Sequence, residues 1–252
     1  MDIGVTIPNH WGVRNVHDVV EIASQAEALG YASVWTMDHL LNVARVRERL
    51  EDNPYWHPMT ILTAVAMRTT SVKLGTSVLV LPYHDPVGLA KYAATLDALS
   101  NGRLILGVGV GALREEFDAL GVPMNRRGAL TDESIAVMRD LWTNPDPSFT
   151  GGRYRFDDLK FSPVCIQQPH VPLWIGGSSE AALRRTALVG DGWHPASVTP
   201  EVFSTAVIRL RELTSEAGRD PNAIATSVRL DVDTEPDPTG RALATVRALI
   251  RD

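Results

Sequence analysis

Short apolar runs alternate with longer segments of helical period along the chain, and this alternation limits the fold more than any other feature of the sequence. Seven such strand–helix units can be counted. Successive units of this kind require a parallel sheet, because only a crossover helix returns the chain to the end where the previous strand began. A doubly wound sheet and a closed barrel both meet that requirement. Seven units in 252 residues favour a TIM-type (β/α)8 barrel of α/β class, with an insertion after the fourth helix and no visible eighth strand.

The predicted strands are short apolar runs, at 3–7, 33–36, 72–81, 104–110, 172–175, 192–196 and 225–232. The predicted helices have apolar residues at three- and four-residue spacing, at 17–29, 58–69, 85–99, 126–142, 179–189, 200–217 and 238–250. Residues 143–171 contain four prolines and a Gly-Gly pair, which predicts an irregular insertion with a strand or two. We expect one domain over residues 1–252.

Charge and composition exclude several classes of protein. The chain carries 24 basic and 30 acidic residues, a net charge of −6, so it repels a phosphate backbone and nucleic acid is not an expected partner. No apolar stretch approaches the ~18 residues that span a bilayer, and the first residues lack the pattern of a signal peptide. The single cysteine, Cys165, cannot form an internal disulfide. We therefore expect a cytoplasmic protein with no membrane partner.

The second predicted strand leads into Asp38 and His39. Reactive groups of parallel α/β folds lie at the C-terminal ends of the strands. An imidazole titrates near neutral pH and can exchange a proton with a substrate, while Asp38 can orient it or accept a hydrogen bond from a heterocycle. Alternatively, Asp38 caps the next segment and His39 is an ordinary loop residue. Position alone leaves both interpretations open.

The third and fourth strand exits carry no reactive side chain. The third, GTSVLVLP at 75–82, is consistent with a plain buried strand. The fourth, GVGVGA at 107–112, has three glycines that let the backbone approach a flat ring or a phosphate closely. Its glycines formally match a dinucleotide fingerprint, but no strand ending in an acid follows, so a Rossmann dehydrogenase is disfavoured.

The fifth strand exit reads Gly176, Gly177, Ser178, Ser179 and opens directly into a helix. Unpaired N–H groups at a helix N-terminus, two glycines and two hydroxyls favour an anion, and Arg184 either adds positive charge or is solvated surface. A simple helix cap is the alternative, although a cap residue can also contact a phosphate. No spacing of histidines or acidic residues matches a metal motif, so no metal site is expected.

Together these exits resemble the bacterial luciferase-like superfamily of flavin- and deazaflavin-dependent oxidoreductases, which are built on a (β/α)8 barrel. The resemblance runs from Ile3 to about Val232. Its most specific segments are VWTMDHL at 34–40, GTSVLVLPYHDP at 75–86, LDALSNGRLILGVGVG at 96–111 and WIGGSSEAALRRTALVGDGW at 174–193.

The resemblance implies a role for each matching position. Asp38 and His39 match an acid–histidine pair beside the cofactor ring of coenzyme F420-dependent members, where the histidine transfers protons. Ser77 and Val78 match a non-prolyl cis peptide under the ring. The other implied cofactor-binding positions are those flanking the ring, Gly109, Val110 and Gly111, and those of the phosphate loop, Gly176, Gly177 and Ser178, with Ser179 and Arg184 beside them.

The chain departs from one pattern within this superfamily. Several sugar-phosphate dehydrogenases of the group carry a glutamate directly after the glycine run, where this chain has Ala112. Glu115 and Glu116 fall later, on the following helical turn. The departure disfavours a sugar-phosphate dehydrogenase of that type.

Three functions stay open, and the resemblance favours hydride transfer between coenzyme F420 and a small organic substrate, with Asp38 holding His39 in place. The first alternative is an FMN-dependent monooxygenase, in which His39 would stabilise an oxygen adduct. The second is a non-catalytic barrel that binds a flavin or deazaflavin. Family members are commonly dimers, so a homodimer is expected.

Overall fold

The structure, a computed structural model, describes residues 2–231, which fall into two compact units, 2–172 and 173–231. The first unit consists of β1 Gly4–Thr6, α1 Val16–Ala28, β2 Ser33–Thr36, α2 Ala44–Leu50, α3 Pro58–Ala66, β3 Lys73–Thr76, β4 Leu79–Val80, α4 Pro86–Leu99, β5 Leu104–Gly109, α5 Arg114–Ala119, α6 Arg127–Thr143, β6 Phe149–Thr150 and β7 Arg155–Phe156. The second consists of β8 Leu173–Gly176, α7 Glu180–Val189, β9 Gly192–His194, α8 Pro200–Glu216 and β10 Ala225–Thr226.

Both units are built on parallel strands, as the alternating pattern predicts. In the first unit β1 pairs with β2, β2 with β3, and β3 with β5. In the second, β8 pairs with β9 and β9 with β10. Every residue of β2 and β5 is buried, which explains why these strands are apolar runs with no polar alternation. The expected single domain over residues 1–252 stays a prediction.

The predicted strand at 72–81 is wrong as one continuous element, because it forms two strands, β3 and β4. Gly75 pairs with Ile105 and Leu79 with Val108, so β3–β4 advances four residues while β5 advances three. One extra residue on one side of a ladder is a bulge, a feature common beside active sites. The Ser77–Val78 peptide within the bulge is cis, as the resemblance implies.

The glycines of β5 are required by this bulged segment. A Cβ at Gly107 would lie 1.9 Å from the carbonyl oxygen of Thr76, and one at Gly109 would lie 2.7 Å from a methyl of Val78. Both positions therefore tolerate only a hydrogen. The glycine run at 107–111 is expected to let the backbone approach a ring or a phosphate closely. In the structure, Gly107 allows a close approach to the neighbouring strand.

The structure adds two short helices to the predicted elements and shortens one predicted strand. The short helices α2 and α5 are not predicted, because seven and six residues are too few to display a helical period. Of the strand predicted at 225–232, only Ala225–Thr226 forms a ladder, followed by an isolated bridge between Ala196 and Arg229. The predicted helix at 238–250 lies outside the described residues.

The insertion at 143–171 is irregular, as predicted. It contains one antiparallel pair, β6 with β7, in which the rings of Phe149 and Phe156 stack at 5.9 Å. Asp97 of α4 anchors its far end by accepting hydrogen bonds from the backbone N–H groups of Ile166 and Gln167, at 2.8 and 3.0 Å. Burial raises the pKa of the Cys165 thiol to about 11, so this cysteine is protonated and unreactive at neutral pH.

The second unit has its own apolar core. Trp193 of β9 is fully buried and stacks on Phe203 of α8 at 5.2 Å. The core residues around this pair are Leu183, Ala187, Leu210, Leu213 and Ile224. Between residues 2 and 231, no helix is long and apolar enough to cross a bilayer, and no three potential metal-ligand side chains are clustered.

We predict that Gly107→Ala lowers the free energy of unfolding by about 1–3 kcal/mol or more, because the added methyl meets backbone rather than a movable side chain. Gly88→Ala in α4 is the matched control. A Cβ there meets nothing closer than 3.7 Å, so the same change should stabilise the protein by roughly 0.5–1 kcal/mol. Urea unfolding of both variants measures the difference, and equal stabilities would contradict the packing argument.

Candidate active site

Asp38 follows β2 and is buried, with one carboxylate oxygen bound and one unbound. Its Oδ2 accepts hydrogen bonds from the Val80 N–H at 3.0 Å and from Nε2 of His84 at 2.8 Å. Its Oδ1 is buried and has no hydrogen-bond partner among the described residues. A buried acceptor without a donor costs about 1–3 kcal/mol. A hydrogen-bond donor on a ligand would therefore stabilise this oxygen.

The partner of His39 is Glu116, not Asp38. Nδ1 of His39 lies 2.7 Å from Oε2 of Glu116, across 77 residues of sequence. The expectation that Asp38 orients the adjacent imidazole is therefore wrong, because successive residues leaving a strand point in different directions. The carboxylate fixes Nδ1 as the protonated nitrogen and leaves Nε2 for other partners. The imidazole is about one quarter exposed and can be reached by a ligand.

Glu116 is a fully buried carboxylate, and hydrogen bonds to both of its oxygens hold it in place. Oε1 accepts hydrogen bonds from the N–H groups of Leu40 and Leu41 at 2.8 and 3.1 Å, and Oε2 also accepts one from the hydroxyl of Tyr83 at 3.3 Å. Burial alone would raise the pKa of Glu116, but His39 and the two amides outweigh burial and lower it below 4.5. Burial and Glu116 raise the pKa of Tyr83, so this hydroxyl stays a donor.

Two aromatic side chains, Tyr55 and His10, lie near His39. The ring of Tyr55 meets the imidazole edge-on at 5.5 Å, and His10 lies 6.1 Å from Tyr55. Asn9 holds this segment against the end of β2, since its side chain accepts from the Met37 N–H at 3.0 Å and donates to the Met37 carbonyl at 2.8 Å. His39 therefore has an aromatic ring on one side and a buried carboxylate on another.

The predicted ring-flanking residues lie at the same strand ends as Asp38. Val80, which donates to Asp38, pairs with Gly109. Ser77 is buried, and its N–H donates to the carbonyl of Thr36 at the end of β2, at 2.7 Å. Gly111, two residues past β5, has φ +77°, a conformation that favours glycine. The structure brings together Asp38, His39, Ser77, Val78 and the 109–111 segment at one edge of the first unit's sheet.

The predicted phosphate loop lies in the second unit, between β8 and α7. Gly177 has φ +98°, and its carbonyl accepts a hydrogen bond from the indole N–H of Trp193 at 2.8 Å. Ser179 is the N-cap of α7, with its hydroxyl accepting from the Ala182 N–H at 3.3 Å. Arg184 does not extend freely, because its guanidinium lies 2.8 Å from Glu180.

One buried histidine of the second unit was not predicted as a site residue. His194 ends β9, and its Nδ1 lies 2.5 Å from the hydroxyl of Ser227. Burial first, and then the charge of Arg229, lower the pKa of His194 to about 4, so it is neutral at pH 7.

Comparison with known protein families assigns the chain. The family model described as luciferase-like monooxygenase matches residues 1–251. The chain belongs to this family. As a luciferase-like protein it is an oxidoreductase, and its fold class is the α/β, TIM-barrel-type fold that the sequence predicts.

Two relatives of this luciferase-like chain are called F420-dependent glucose-6-phosphate dehydrogenase. The one from Amycolatopsis mediterranei is 36% identical over 180 residues, covering 70% of this chain and 52% of the relative. The one from Nakamurella multipartita is 32% identical over 228 residues, covering 87% and 64%. Among solved structures, the monooxygenase RslO1 from Streptomyces bottropensis matches with a TM-score of 0.79 and 27% identity, covering 98% of this chain and 77% of its own.

Sequence reasoning missed two residues of this luciferase-like site, Glu116 and His84. In the sequence Glu116 falls one helical turn past the glycine run, and His84 belongs to no catalytic or metal-binding motif. A usable signal exists for both, because each follows a strand that ends at the same edge as Asp38 and His39. The C-terminal ends of neighbouring parallel strands lie at the same edge of the sheet. Polar residues a few positions past β4 and β5 can therefore contact the residues that follow β2.

We predict that Glu116→Gln lowers the free energy of unfolding by about 1–3 kcal/mol at pH 7, since a buried carboxylate accepting four hydrogen bonds is replaced by an amide with a donor. Glu115→Gln, an adjacent and exposed change, should stay within about 0.5 kcal/mol of the native chain.

The difference between native and Glu116→Gln proteins should also depend on pH. Because the folded pKa of Glu116 lies below its ordinary value of 4.5, its carboxylate stabilises the protein above pH 4.5 and loses that contribution as the pH falls further. Urea unfolding at pH 7 and at successively lower pH measures the narrowing gap. A gap that is constant with pH would contradict the assigned ionisation.

Proposed function

We propose that this luciferase-like oxidoreductase transfers a hydride between the deazaflavin coenzyme F420 and a small organic substrate. The observation that carries the proposal is a partly exposed imidazole, His39, held by the buried Glu116 beside a second buried carboxylate with an unused oxygen. The names of the two F420-dependent relatives support it. The homodimer and the cytoplasmic location are likewise proposals.

The residues of the first unit fit a flat heterocyclic cofactor. Asp38 Oδ1 lacks a donor, and a ring N–H would supply one. Ser77, Val78 and the backbone of Gly109, Val110 and Gly111 would contact the ring. When bound, coenzyme F420 supplies the carbon that donates or accepts the hydride.

His39 would handle the proton that accompanies the hydride. Its Nδ1–H donates to Glu116, so Nε2 is the nitrogen that exchanges a proton with the substrate. In the oxidising direction Nε2 accepts the proton of a substrate hydroxyl, and the nearby carboxylate of Glu116 stabilises the resulting imidazolium. In the reducing direction the same nitrogen returns the proton.

The loop of Gly176, Gly177, Ser178 and Ser179 would hold the phosphate of the cofactor. At this helix N-terminus the N–H groups of Glu180 and Ala181 have no intrahelical acceptor, whereas the Ala182 N–H is already bound by Ser179. Ser179 serves as a cap, and a cap hydroxyl can also donate its own hydrogen to an anion. That this loop and the ring-binding residues serve one cofactor stays a prediction.

The substrate is proposed only as a small organic molecule. The chain spans 52% and 64% of the two F420-dependent relatives, so their substrate is not carried over. Ala112 still stands where, by the family resemblance, several sugar-phosphate dehydrogenases of the group have a glutamate. Glu116 supplies an acid beside the imidazole, but as a buried partner of His39 rather than as a group facing a substrate.

The second candidate function is an FMN-dependent monooxygenase. The observation that favours it is the likeness to the Streptomyces bottropensis monooxygenase over 98% of this chain. In that case His39 would stabilise the oxygen-derived group, and the phosphate loop would hold the FMN phosphate.

Direct titration separates the two candidates. We expect the purified chain to bind coenzyme F420 at least about tenfold more tightly than FMN, which corresponds to about 1.4 kcal/mol. Tryptophan fluorescence can follow both titrations. The reverse preference, combined with oxygen uptake in the presence of reduced FMN, would replace the proposal with the monooxygenase.

We predict that His39→Gln lowers the rate of F420 reduction by about 10²–10⁴-fold while F420 binding changes little, since the variant loses the proton-transferring imidazole but keeps a similar volume. His17→Gln is the control, because His17 is exposed near the start of α1. Stopped-flow measurement of F420 absorbance provides the rates. An unchanged rate in His39→Gln would show that His39 does not transfer the proton.

A further inference from the structure

His84 has a fixed position between the end of β4 and the start of α4. Its backbone N–H donates to the carbonyl of Leu81 at 3.0 Å, closing a 3₁₀ turn over Leu81–Tyr83. The next residue, Asp85, is the N-cap of α4 and accepts from the Gly88 N–H at 2.9 Å. The backbone on either side of the imidazole is therefore held by hydrogen bonds.

The side chain of His84 is directed at Asp38. Its Nε2 donates to Asp38 Oδ2 at 2.8 Å, and the Val80 N–H donates to the same oxygen at 3.0 Å. Two donors from different directions fix the rotation of the carboxylate. Both act on Oδ2, so Oδ1 is left buried and without a partner among the described residues.

The histidine packed against His84 does not disturb this pair. His57 lies edge-on to His84, with ring centres 6.4 Å apart. Its Nδ1 accepts a hydrogen bond from the Thr60 N–H at the start of α3, at 3.4 Å, which requires an unprotonated nitrogen. Burial lowers the pKa of His57, in agreement with a neutral ring. Asp38 and His57 are thus the titratable groups that face His84 from β2 and α3.

We propose that His84 is a positioning residue for cofactor binding: it holds Asp38 so that Oδ1 accepts a hydrogen bond from an N–H or O–H group of the bound ring. Asp38 makes the contact, and His84 acts only through it. The inference rests on the proposed function for the identity of the ring. It assigns a task to a histidine that the proton transfer at His39 does not use.

Binding measurements on matched variants test the role of His84. His84→Leu removes the donor, whereas His84→Gln places an amide N–H near the position of Nε2. We expect His84→Leu to weaken F420 binding by at least about tenfold, His84→Gln to recover most of the loss, and the exposed control His17→Leu to bind like the native chain. Native-like binding by His84→Leu would overturn the inference.

A double-mutant cycle shows whether His84 acts through Asp38. Asp38→Asn and His84→Leu should each weaken F420 binding, and the double variant should bind no more weakly than Asp38→Asn alone. Additive losses would mean that His84 affects the cofactor independently, which contradicts the proposal. The ligand-free free energy of unfolding is measured for each variant, because a loss of stability without a loss of affinity would also contradict it.

The native protein provides a test that needs no variant to fold. The ring Nε2–H of His84 should be visible by ¹⁵N–¹H NMR, protected by Asp38, and should shift when F420 saturates the site, while His17 does not. An unchanged His84 signal would overturn the inference. If the native chain binds FMN instead of F420, the proposed function fails and the same tests run with FMN; if it binds neither, both fail.

Discussion

The close contact between β5 and the bulged β3–β4 segment is the constraint on which the first unit depends. With a hydrogen at Gly107, the backbone of β5 approaches that of Thr76 far more closely than any side chain would permit, and the hydrogen at Gly109 leaves room for the side chain of Val78. The extra residue in the bulge then shifts β4 by one position relative to β5. That shift presents the N–H of Val80 to Asp38 and starts the turn that carries Tyr83 and His84. The glycines thus act on the site through the geometry of the neighbouring strand.

Two carboxylate–imidazole pairs result from this arrangement, and they are satisfied to different degrees. Glu116 receives hydrogen bonds on both oxygens, from two amides, a phenol and His39. Asp38 receives two on one oxygen and none on the other. A buried carboxylate that is fully satisfied rigidifies its surroundings, whereas one that is half satisfied is stable only if something else supplies a donor. The first therefore suits the holding of a catalytic imidazole, and the second suits the binding of a ligand.

The sequence could predict the strand–helix order and the strand ends that carry the candidate site, because both depend on local patterns. The period of α1 and the apolar run of β5 are examples, and Asp38 and His39 follow from their position after β2. The partners of these residues could not be predicted in the same way. Glu116 lies 77 residues from His39 and His84 lies 46 from Asp38, so their contacts depend on strand register. Asp38 and His39 are adjacent in sequence, which suggests a hydrogen-bonded pair, but in the structure each of them pairs with a different residue.

At the start of α7, the predicted basic residue Arg184 binds an acidic side chain of its own helix. Glu180 stands in the first turn of α7, where its negative charge would oppose a phosphate. Its carboxylate is bound by Arg184 at 2.8 Å and by Arg209 at 3.0 Å, and these two arginines lower the pKa of Glu180. The arginines thereby offset the acidic charge beside the loop, so that it subtracts less from the positive potential of the helix N-terminus. Arg184 would then act on the phosphate through Glu180, by removing a repulsion rather than by adding a contact.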